Sequence, residues 1–152
     1  MGIKRPIQDQ QQIEEILSKA KFLYLALSDA DTPHIVPMAF GYKDNCIYLH
    51  SSQKGEKVDI LKKNPRVCFE ADIDAEIITS DDICTYNVRY RSVIGYGQAK
   101  FLEDYDEKVE GLTVLSEQYM KKGPFEFEEW KVNRLAVIKI EIEKMTGKES
   151  GF

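Results

Sequence analysis

Hydrophobic residues recur along this chain with two different periods, one helical and one extended. Near the N-terminus, the apolar positions Ile13, Ile16, Leu17 and Ala20 fall at i, i+3, i+4 and i+7, which predicts an amphipathic helix within residues 1–21. A second, peripheral helix is predicted over residues 104–122, because this segment starts acidic, ends basic and is followed by the helix-stopping pair Gly123-Pro124.

Most other apolar stretches alternate with polar residues, which is the period of a strand. The alternation is clearest from 136 to 143, where Ala136, Ile138, Ile140 and Ile142 share one face. Further strands are predicted at 22–27, 34–42, 46–50, 66–71 and 92–102, with 34–42 and 46–50 forming a hairpin around 43–45. Since the strands follow one another without a regular βαβ alternation, we predict a mainly β fold. It is an antiparallel barrel with peripheral helices, in a single domain over residues 1–152.

Pro37 lies in the middle of the predicted strand from 34 to 42. Because proline has no N–H to donate to a sheet ladder, it marks an edge strand or a bulge. Backbone N–H and C=O groups around Pro37 would then remain free to bind the polar edge of a planar ligand. The alternative is an ordinary edge strand in which the proline prevents edge-to-edge aggregation.

The segment from 50 to 61 joins a predicted strand directly to a predicted helix, with hydroxyls, a glycine and lysines at the junction. A helix N-terminus presents unpaired N–H groups and a partial positive charge to any anion in front of it. The polar side chains at this junction would therefore converge on one phosphate; they are Ser51, Ser52, Lys54 and Lys57. The alternative is that a serine caps the helix and the lysines are solvated.

The composition argues against several classes of protein. A formal charge of -5 without a compensating basic patch argues against nucleic-acid binding. The sequence has no apolar run of about 18 residues and no signal-peptide core near its start, so we expect a cytoplasmic protein without a membrane anchor. Cys46, Cys68 and Cys84 are odd in number and widely spaced, which favours reduced structural thiols. His34 and His50 are too few for most metal sites.

The run from Pro33 to Pro65 resembles the flavin-binding half of the pyridoxamine-phosphate-oxidase-like split barrels. It combines a proline-containing strand, a hairpin, His50-Ser51, Gly55-x-Lys57 and Leu61-x-x-Asn64-Pro65. The branch to which it is most similar binds flavin nucleotides and includes the nitroimidazole-resistance (Nim) proteins, and Tyr90 to Ala99 matches the same branch. The resemblance spans roughly residues 21–148 and implies an FMN-binding split barrel of antiparallel Greek-key type.

The resemblance also implies roles for individual residues. Five residues would lie along the flavin ring; they are Val36, Pro37, Met38, Ala39 and Phe40. His50 and Ser51 would contact flavin and phosphate, and Lys57 would bind the phosphate. Glu56 stands where the oxidases have an arginine, so Lys54, one turn earlier, would have to compensate for the missing positive charge.

A second group of expected contacts comes from later in the chain. Ser92 falls where family members contact the ring edge, and Arg89 and Arg91 are nearby candidates for the phosphate. Trp130 could stack on the ring, although aromatic residues also build cores. The resemblance implies a homodimer with the flavin at the subunit seam, and the aromatic segment 125–130 would reach from one subunit into the other's site.

Three functions agree with these features. The first is an FMN-dependent oxidoreductase that reduces a small, nitroaromatic or quinone-like electron acceptor, with His50 as the catalytic residue beside the ring. The second is a flavin-nucleotide-binding carrier or sensor without turnover, and the third is a relative that binds haem or a deazaflavin. If His50 does not touch the cofactor, it is a packing residue. The chain lacks the tryptophan and the arginine–histidine pattern that end the true oxidases, so oxidation of pyridoxamine phosphate is not expected.

Overall fold

The structure is a computed structural model that describes residues 2–152. Within this range the strands are β1 (Lys4–Ile7), β2 (Leu23–Asp29), β3 (Thr32–Met38), β4 (Gly41–Lys43), β5 (Cys46–Ser52), β6 (Arg66–Ile78), β7 (Asn87–Phe101) and β8 (Leu135–Ser150). The helices are α1 (Gln10–Lys19), α2 (Glu56–Lys63), α3 (Tyr105–Tyr119) and α4 (Glu129–Arg134), with a short 3-10 turn at Ile83–Thr85.

The strands form one antiparallel sheet in the order β3-β2-β6-β7-β8-β5-β4, and β1 pairs with the end of β8. Strands β6, β7 and β8 are successive neighbours, and β5 lies beside β8, which is a Greek-key arrangement. The two edge strands are consecutive in sequence, and three Cα steps from Met38 to Gly41 span at most about 11 Å, so the sheet must curl to bring its edges together. Within residues 2–152 no ladder joins β3 to β4, so the barrel stays open at this seam. The predicted antiparallel split barrel is confirmed.

The main core fills the inside of the curled sheet. Its fully buried side chains include Leu23, Leu25, Phe40, Leu49, Phe69, Ile138 and Ile140. The predicted N-terminal helix is confirmed as α1, which packs Ile13, Ile16 and Leu17 against this core. Removing these side chains from water stabilises the folded state, by roughly 25 cal/mol per Å² of apolar surface buried.

A second core lies outside the sheet, between α3, α4 and the neighbouring strands β5 and β8. It is built around Tyr48, Leu112, Val132 and Val137. Helix α3 also crosses β4 at close range, because Gly41 has no side chain: a Cβ there would lie 2.6 Å from the carbonyl oxygen of Val114. A larger residue at this position would push α3 away from the seam.

The predicted hairpin between 34–42 and 46–50 is wrong in its extent. The chain leaves β3 at Met38 and re-enters the sheet at Gly41, so β3 pairs with β2 while β4 pairs with β5. Phe40 is fully buried, and its side chain enters the core where a continuous hairpin strand would have run. The turn itself is where we predicted it, with Asp44 and Asn45 at positive φ.

Several elements are longer or shorter than their local sequence indicates. Strand β6 continues to Ile78 and β7 starts at Asn87, because the two pair with each other beyond a register shift. Helix α3 ends at Tyr119, before the predicted end at 122. Strand β2 begins at Leu23, so Phe22, which we predicted as its first residue, lies before the strand and is exposed. Strand β1 and helix α4 were not predicted.

In the described part of the chain, none of the helices combines the length and the apolar character that a membrane-spanning helix needs.

Candidate functional site

The loop between β5 and α2 has the geometry of an uncapped helix start. Gly55 is the N-cap residue and has a φ of 132°, a conformation that glycine adopts without strain. No side chain caps α2, so the predicted alternative of a serine N-cap is wrong. The first N–H groups of the helix, which have no intrahelical partner, remain available to an anion.

The two loop hydroxyls stabilise the loop. The hydroxyl of Ser51 donates to the carbonyl oxygen of Ser52 at 2.8 Å, and the hydroxyl of Ser52 donates to the carbonyl oxygen of Lys54 at 2.6 Å. Gln53 donates its side-chain amide to the carbonyl oxygen of Asn133 at 2.8 Å, which ties the loop to the end of α4. These bonds hold the backbone in the shape that turns the start of α2 toward solvent.

Lys57 carries a free positive charge at the start of α2. Its side chain is half-buried and forms no ion pair or hydrogen bond with any residue from 2 to 152. Lys57 lies close enough to His50, near the end of β5, to act on its charge. Partial burial lowers the pKa of the His50 imidazole, and the charge of Lys57 lowers it further. His50 is therefore neutral at pH 7, with one nitrogen able to donate and the other to accept.

The predicted ring-binding segment 36–40 lies on the edge strand β3 and in the connection to β4. Pro37 and Ala39 are exposed, Val36 is half-buried, and Met38 and Phe40 are buried. The predicted edge position of Pro37 is confirmed, since β3 pairs only with β2.

Two contacts anchor this edge strand. The His34 Nδ1 lies 4.0 Å from the Glu56 carboxylate, which brings β3 beside the start of α2. At the other end, the Phe40 N–H donates to the phenol oxygen of Tyr119 at 3.1 Å. The contact of His34 with Glu56 thus brings the edge strand and the loop of 50–57 to the same end of the sheet. The N–H of Phe40, which we expected to be free for a ligand, is bonded to Tyr119 instead.

His50 lines a cavity of about 430 Å³, called the His50 cavity below. It lies between the end of β5, the C-terminal half of α3 and the segment from 126 to 135. Its apolar walls are Leu112, Leu115, Met120, Phe127, Val132 and Leu135, and its polar groups besides His50 come from Ser116, Tyr119, Glu126, Glu128 and Lys131. The volume falls in the range that holds a small organic ligand, and the apolar walls can contact the faces of a planar aromatic molecule while the polar groups bind its edge.

Arg91 and Ser92 lie far from this site within the protomer. On β8, Ser92 pairs with Lys148 whereas His50 pairs with Val137, and these partners are eleven residues apart, which is at most roughly 35 Å along the strand. Arg91 is already engaged by Asp74 at 2.9 Å and by Glu149 at 3.6 Å, and its guanidinium stacks on Phe152 at 4.0 Å. Arg89 likewise pairs with Glu76 at 3.3 Å.

Ser92 is buried on the face of β7 that also carries Ile94. Neighbouring residues in a strand alternate between faces, so Arg91 points to the opposite side. One protomer therefore does not bring either residue to the loop of 50–57.

Trp130 does not line the His50 cavity. Its side chain is 55% exposed, and its indole N–H donates to the Glu128 carboxylate at 2.5 Å. The guanidinium of Arg134 lies 5.5 Å from its ring centroid. Phe127, from the same aromatic segment, packs instead against the His50 cavity of its own protomer.

Lys54 belongs to a different group of lysines. It lines a separate cavity with Lys62 and Lys108, on the side of the loop that faces the start of α3. Sequence reasoning missed Lys108 and Tyr119 as site residues, and it expected the segment 125–130, which contains Phe127, to reach into the site of the other subunit. The sequence placed Lys108 and Tyr119 in the correct helix, but nothing in the local pattern indicates that this helix packs beside β5.

The sequence as a whole matches one known family. The profile described as pyridoxamine 5'-phosphate oxidase matches residues 9–149. The chain belongs to this family. A comparison with curated protein sequences found no match.

Several solved structures share the fold of this chain. A candidate 5-nitroimidazole antibiotic resistance protein from Bacteroides thetaiotaomicron is 31% identical, with a TM-score of 0.88 over 99% of this chain and 90% of that chain. A FAD and haem binding protein from Mycobacterium smegmatis is 14% identical, with a TM-score of 0.85 over 97% and 74%. A FAD-binding protein from Mesorhizobium loti is 20% identical, with a TM-score of 0.68 over 97% and 98%.

Proposed function

We propose that this chain is an FMN-binding flavoprotein that reduces a small nitroaromatic or quinone-like acceptor. The observation that carries the proposal is the loop of 50–57, where an uncapped helix start and the unpaired Lys57 lie at the end of an open edge strand. The 31% identity to a candidate nitroimidazole resistance protein supports the class of acceptor.

The loop fits a phosphate on three grounds. The first N–H groups of α2 lack a capping side chain, Lys57 is half-buried without a counter-charge in residues 2–152, and Gly55 leaves the approach open, because a Cβ at this position would meet no atom within 4 Å. Charge-assisted hydrogen bonds to phosphate stabilise a complex by about 1.5–3 kcal/mol each. The carboxylate of Glu56, at the first helical position, is exposed and lies 4.0 Å from His34 Nδ1.

The His50 cavity supplies the place for a planar ring or for the acceptor. Bound FMN would carry the electrons, while the protein supplies position, charge and exclusion of water. His50 is neutral near pH 7 and lines this cavity, so it can donate a hydrogen bond or hold a proton at one ring nitrogen. Tyr119 adds a phenol group on the α3 side.

We also propose a homodimer, because the site residues of one protomer lie in two distant places. The outward face of β2, β6 and β7 carries an exposed apolar patch, called the outer patch, made of Phe22, Tyr24, Ile94 and Tyr96. Exposed apolar clusters of this kind mark protein interaction surfaces. Ser92 lies on the same face, two residues before Ile94, so a second copy docked on the outer patch would have Ser92 near its boundary.

The absorption spectrum of the purified protein, followed by titration with FMN and with riboflavin, tests the cofactor. The expected result is a flavin spectrum and tighter binding of FMN than of riboflavin. A haem band, or equal affinities for the two flavins, would refute the assignment. Steady-state reduction of a nitroaromatic by reduced nicotinamide nucleotides then separates the enzyme from a carrier, for which turnover is absent.

A further inference from the structure

A second cavity lies on the other side of the loop of 50–57 from the His50 cavity, and Gln53 and Lys54 of this loop are among its lining residues. It has a volume of about 560 Å³ and lies between α2, the start of α3 and the first residues of β8. We call it the lysine cavity, after Lys54, Lys62 and Lys108 in its walls. Neither His50 nor Lys57 lines it.

Lys108 is the unusual member of this group. It lies in the first turn of α3 and is only 8% exposed, whereas lysines are almost never so buried unless they are paired. Its ammonium group makes no ion pair or side-chain hydrogen bond with any residue from 2 to 152, although every fully buried side-chain nitrogen or oxygen in that range has a partner. The ammonium group is therefore in contact with solvent, and Lys108 is one of the residues that line the cavity.

The charge in the cavity is strongly positive. Three lysines and one acidic residue, Glu103, line the cavity, which gives a formal charge balance of about +2, and none of the three lysines forms an ion pair within residues 2–152. A phosphate monoester carries about −1.5 to −2 charges at pH 7, whereas a simple carboxylate carries one. A phosphate monoester therefore matches the cavity better than a carboxylate does.

The remaining walls are apolar. Phe101, Leu102, Leu135 and Val137 line the cavity, and the ammonium group of Lys62 lies 6.0 Å from the Phe101 ring centroid. Inorganic phosphate has no apolar surface to bury against such walls, whereas the apolar body of an organic ligand is removed from water there.

We propose that the lysine cavity binds a small phosphorylated organic molecule, with its phosphate between Lys62 and Lys108 and its apolar body against Phe101 and Leu102. This site differs from the proposed flavin phosphate site, because Lys57 does not line the cavity and lies on the other side of the α2 start. The protein can then bind a phosphate monoester while the flavin site is filled. The proposal does not rest on the proposed flavin function.

Calorimetric titration of the protein with phenyl phosphate, in the presence of saturating FMN, tests this site. Phenyl phosphate should bind, and inorganic phosphate should bind about tenfold more weakly, because it lacks the apolar body. Lys108→Met and Lys62→Met should each weaken phenyl phosphate roughly 10-fold or more, since each removes one charge and keeps the apolar stem. Lys63→Met, a neighbouring lysine of α2 outside the cavity, should leave the affinity unchanged.

The outcomes separate this proposal from the flavin assignment. Phenyl phosphate that is displaced by FMN, or that is lost in Lys57→Met, occupies the flavin loop and overturns the proposal. Absence of saturable binding in the millimolar range also overturns it, as does equal binding of phenyl phosphate and inorganic phosphate. Near-UV circular dichroism reports whether Lys108→Met keeps its fold; if it does not, the exposed Lys62→Met decides. If FMN does not bind at all, the same titrations are run without it.

Discussion

The ammonium group of Lys57 makes the protonated form of His50 less favourable. His50 is an exposed residue near the end of β5, Lys57 is the second residue of α2, and the hydrogen bonds of Ser51 and Ser52 stabilise the loop between the two elements. Partial burial lowers the pKa of His50, and the ammonium group of Lys57 lowers it further. A bound phosphate would offset the charge of Lys57, so the protonation of His50 reports the occupancy of the loop.

The first prediction concerns this pair in the free protein. Lys57→Met should raise the pKa of His50 toward its ordinary value, because the repulsive charge is gone, but burial should still keep it below that value. The pKa is measured from the imidazole proton resonances as a function of pH. Lys63→Met, whose lysine pairs with Asp29 at 3.7 Å on the same helix, is the control and should not move it. An unchanged His50 in Lys57→Met would contradict the pairing.

The second prediction concerns the phosphate. Lys57→Met should weaken FMN binding by about 10- to 100-fold, as expected for the loss of one charge-assisted contact, and should leave riboflavin binding within about twofold. Fluorescence titration measures both affinities, and Lys63→Met again serves as the control. A parallel loss of both flavins would mean that Lys57 stabilises the loop and does not contact phosphate.

The third prediction separates His50 from Lys57. His50→Ala should retain FMN to within about tenfold, because the phosphate contacts remain, but should shift the reduction potential or slow reoxidation by a nitroaromatic. Spectroelectrochemistry and stopped-flow absorbance measure the two quantities at saturating FMN. Wild-type values for both would make His50 a packing residue of the cavity, and the FMN assignment would be unaffected.

The fourth prediction concerns Glu70 on β6. Burial, and the nearby charge of Asp72, raise the pKa of the Glu70 carboxyl to about 7. Between about pH 5 and 7 the folded protein holds a proton that the unfolded chain has released, so this group makes the free energy of unfolding fall as pH rises. Glu70→Gln should flatten that fall in urea unfolding, and Glu117→Gln, exposed on α3, should not. A pH profile unchanged by Glu70→Gln would refute the shift.

The fifth prediction concerns assembly. Tyr96→Lys should convert the dimer to a monomer, because Tyr96 is 42% exposed in the outer patch and a charge there would have to be buried. Light scattering at micromolar concentration measures the mass. Ile83→Lys, at an apolar residue 72% exposed in the 3-10 turn outside the outer patch, is the control. A wild-type monomer that is fully loaded with FMN would exclude the dimer.

The sequence predicted those parts of the fold that depend on local periodicity. The spacing of Ile13, Ile16 and Leu17 marks α1, and the glycine and apolar residues from 55 to 61 mark α2, because each pattern is contained within two or three turns. The alternation after Ala136 marks β8 for the same reason. These signals require no knowledge of what lies beside them.

The parts that sequence reasoning missed depend on partners distant in the chain. The break between β3 and β4 follows from Phe40 entering the core and its N–H bonding to Tyr119, 79 residues later. Strand β1 forms because the end of β8 offers it an edge. Lys54 was predicted to compensate for a missing charge at the phosphate, and the structure also places it in the wall of the same cavity as Lys108 of α3, which the local sequence does not indicate.

Strand β8 determines the order in which this protein can fold as it is made. It pairs with β1, β5 and β7, so that Cys46 of β5 has no partner on that side until Glu141 has been synthesised. At ~5–20 residues per second, the ribosome needs roughly 4–17 s to go from the end of β5 to the start of β8. During that time β5 presents an unpaired edge that can join a neighbouring nascent chain, and β7 does so once Phe101 has been made. The barrel can therefore close only after β8 has been synthesised, since β8 completes the ladders of β1, β5 and β7 together.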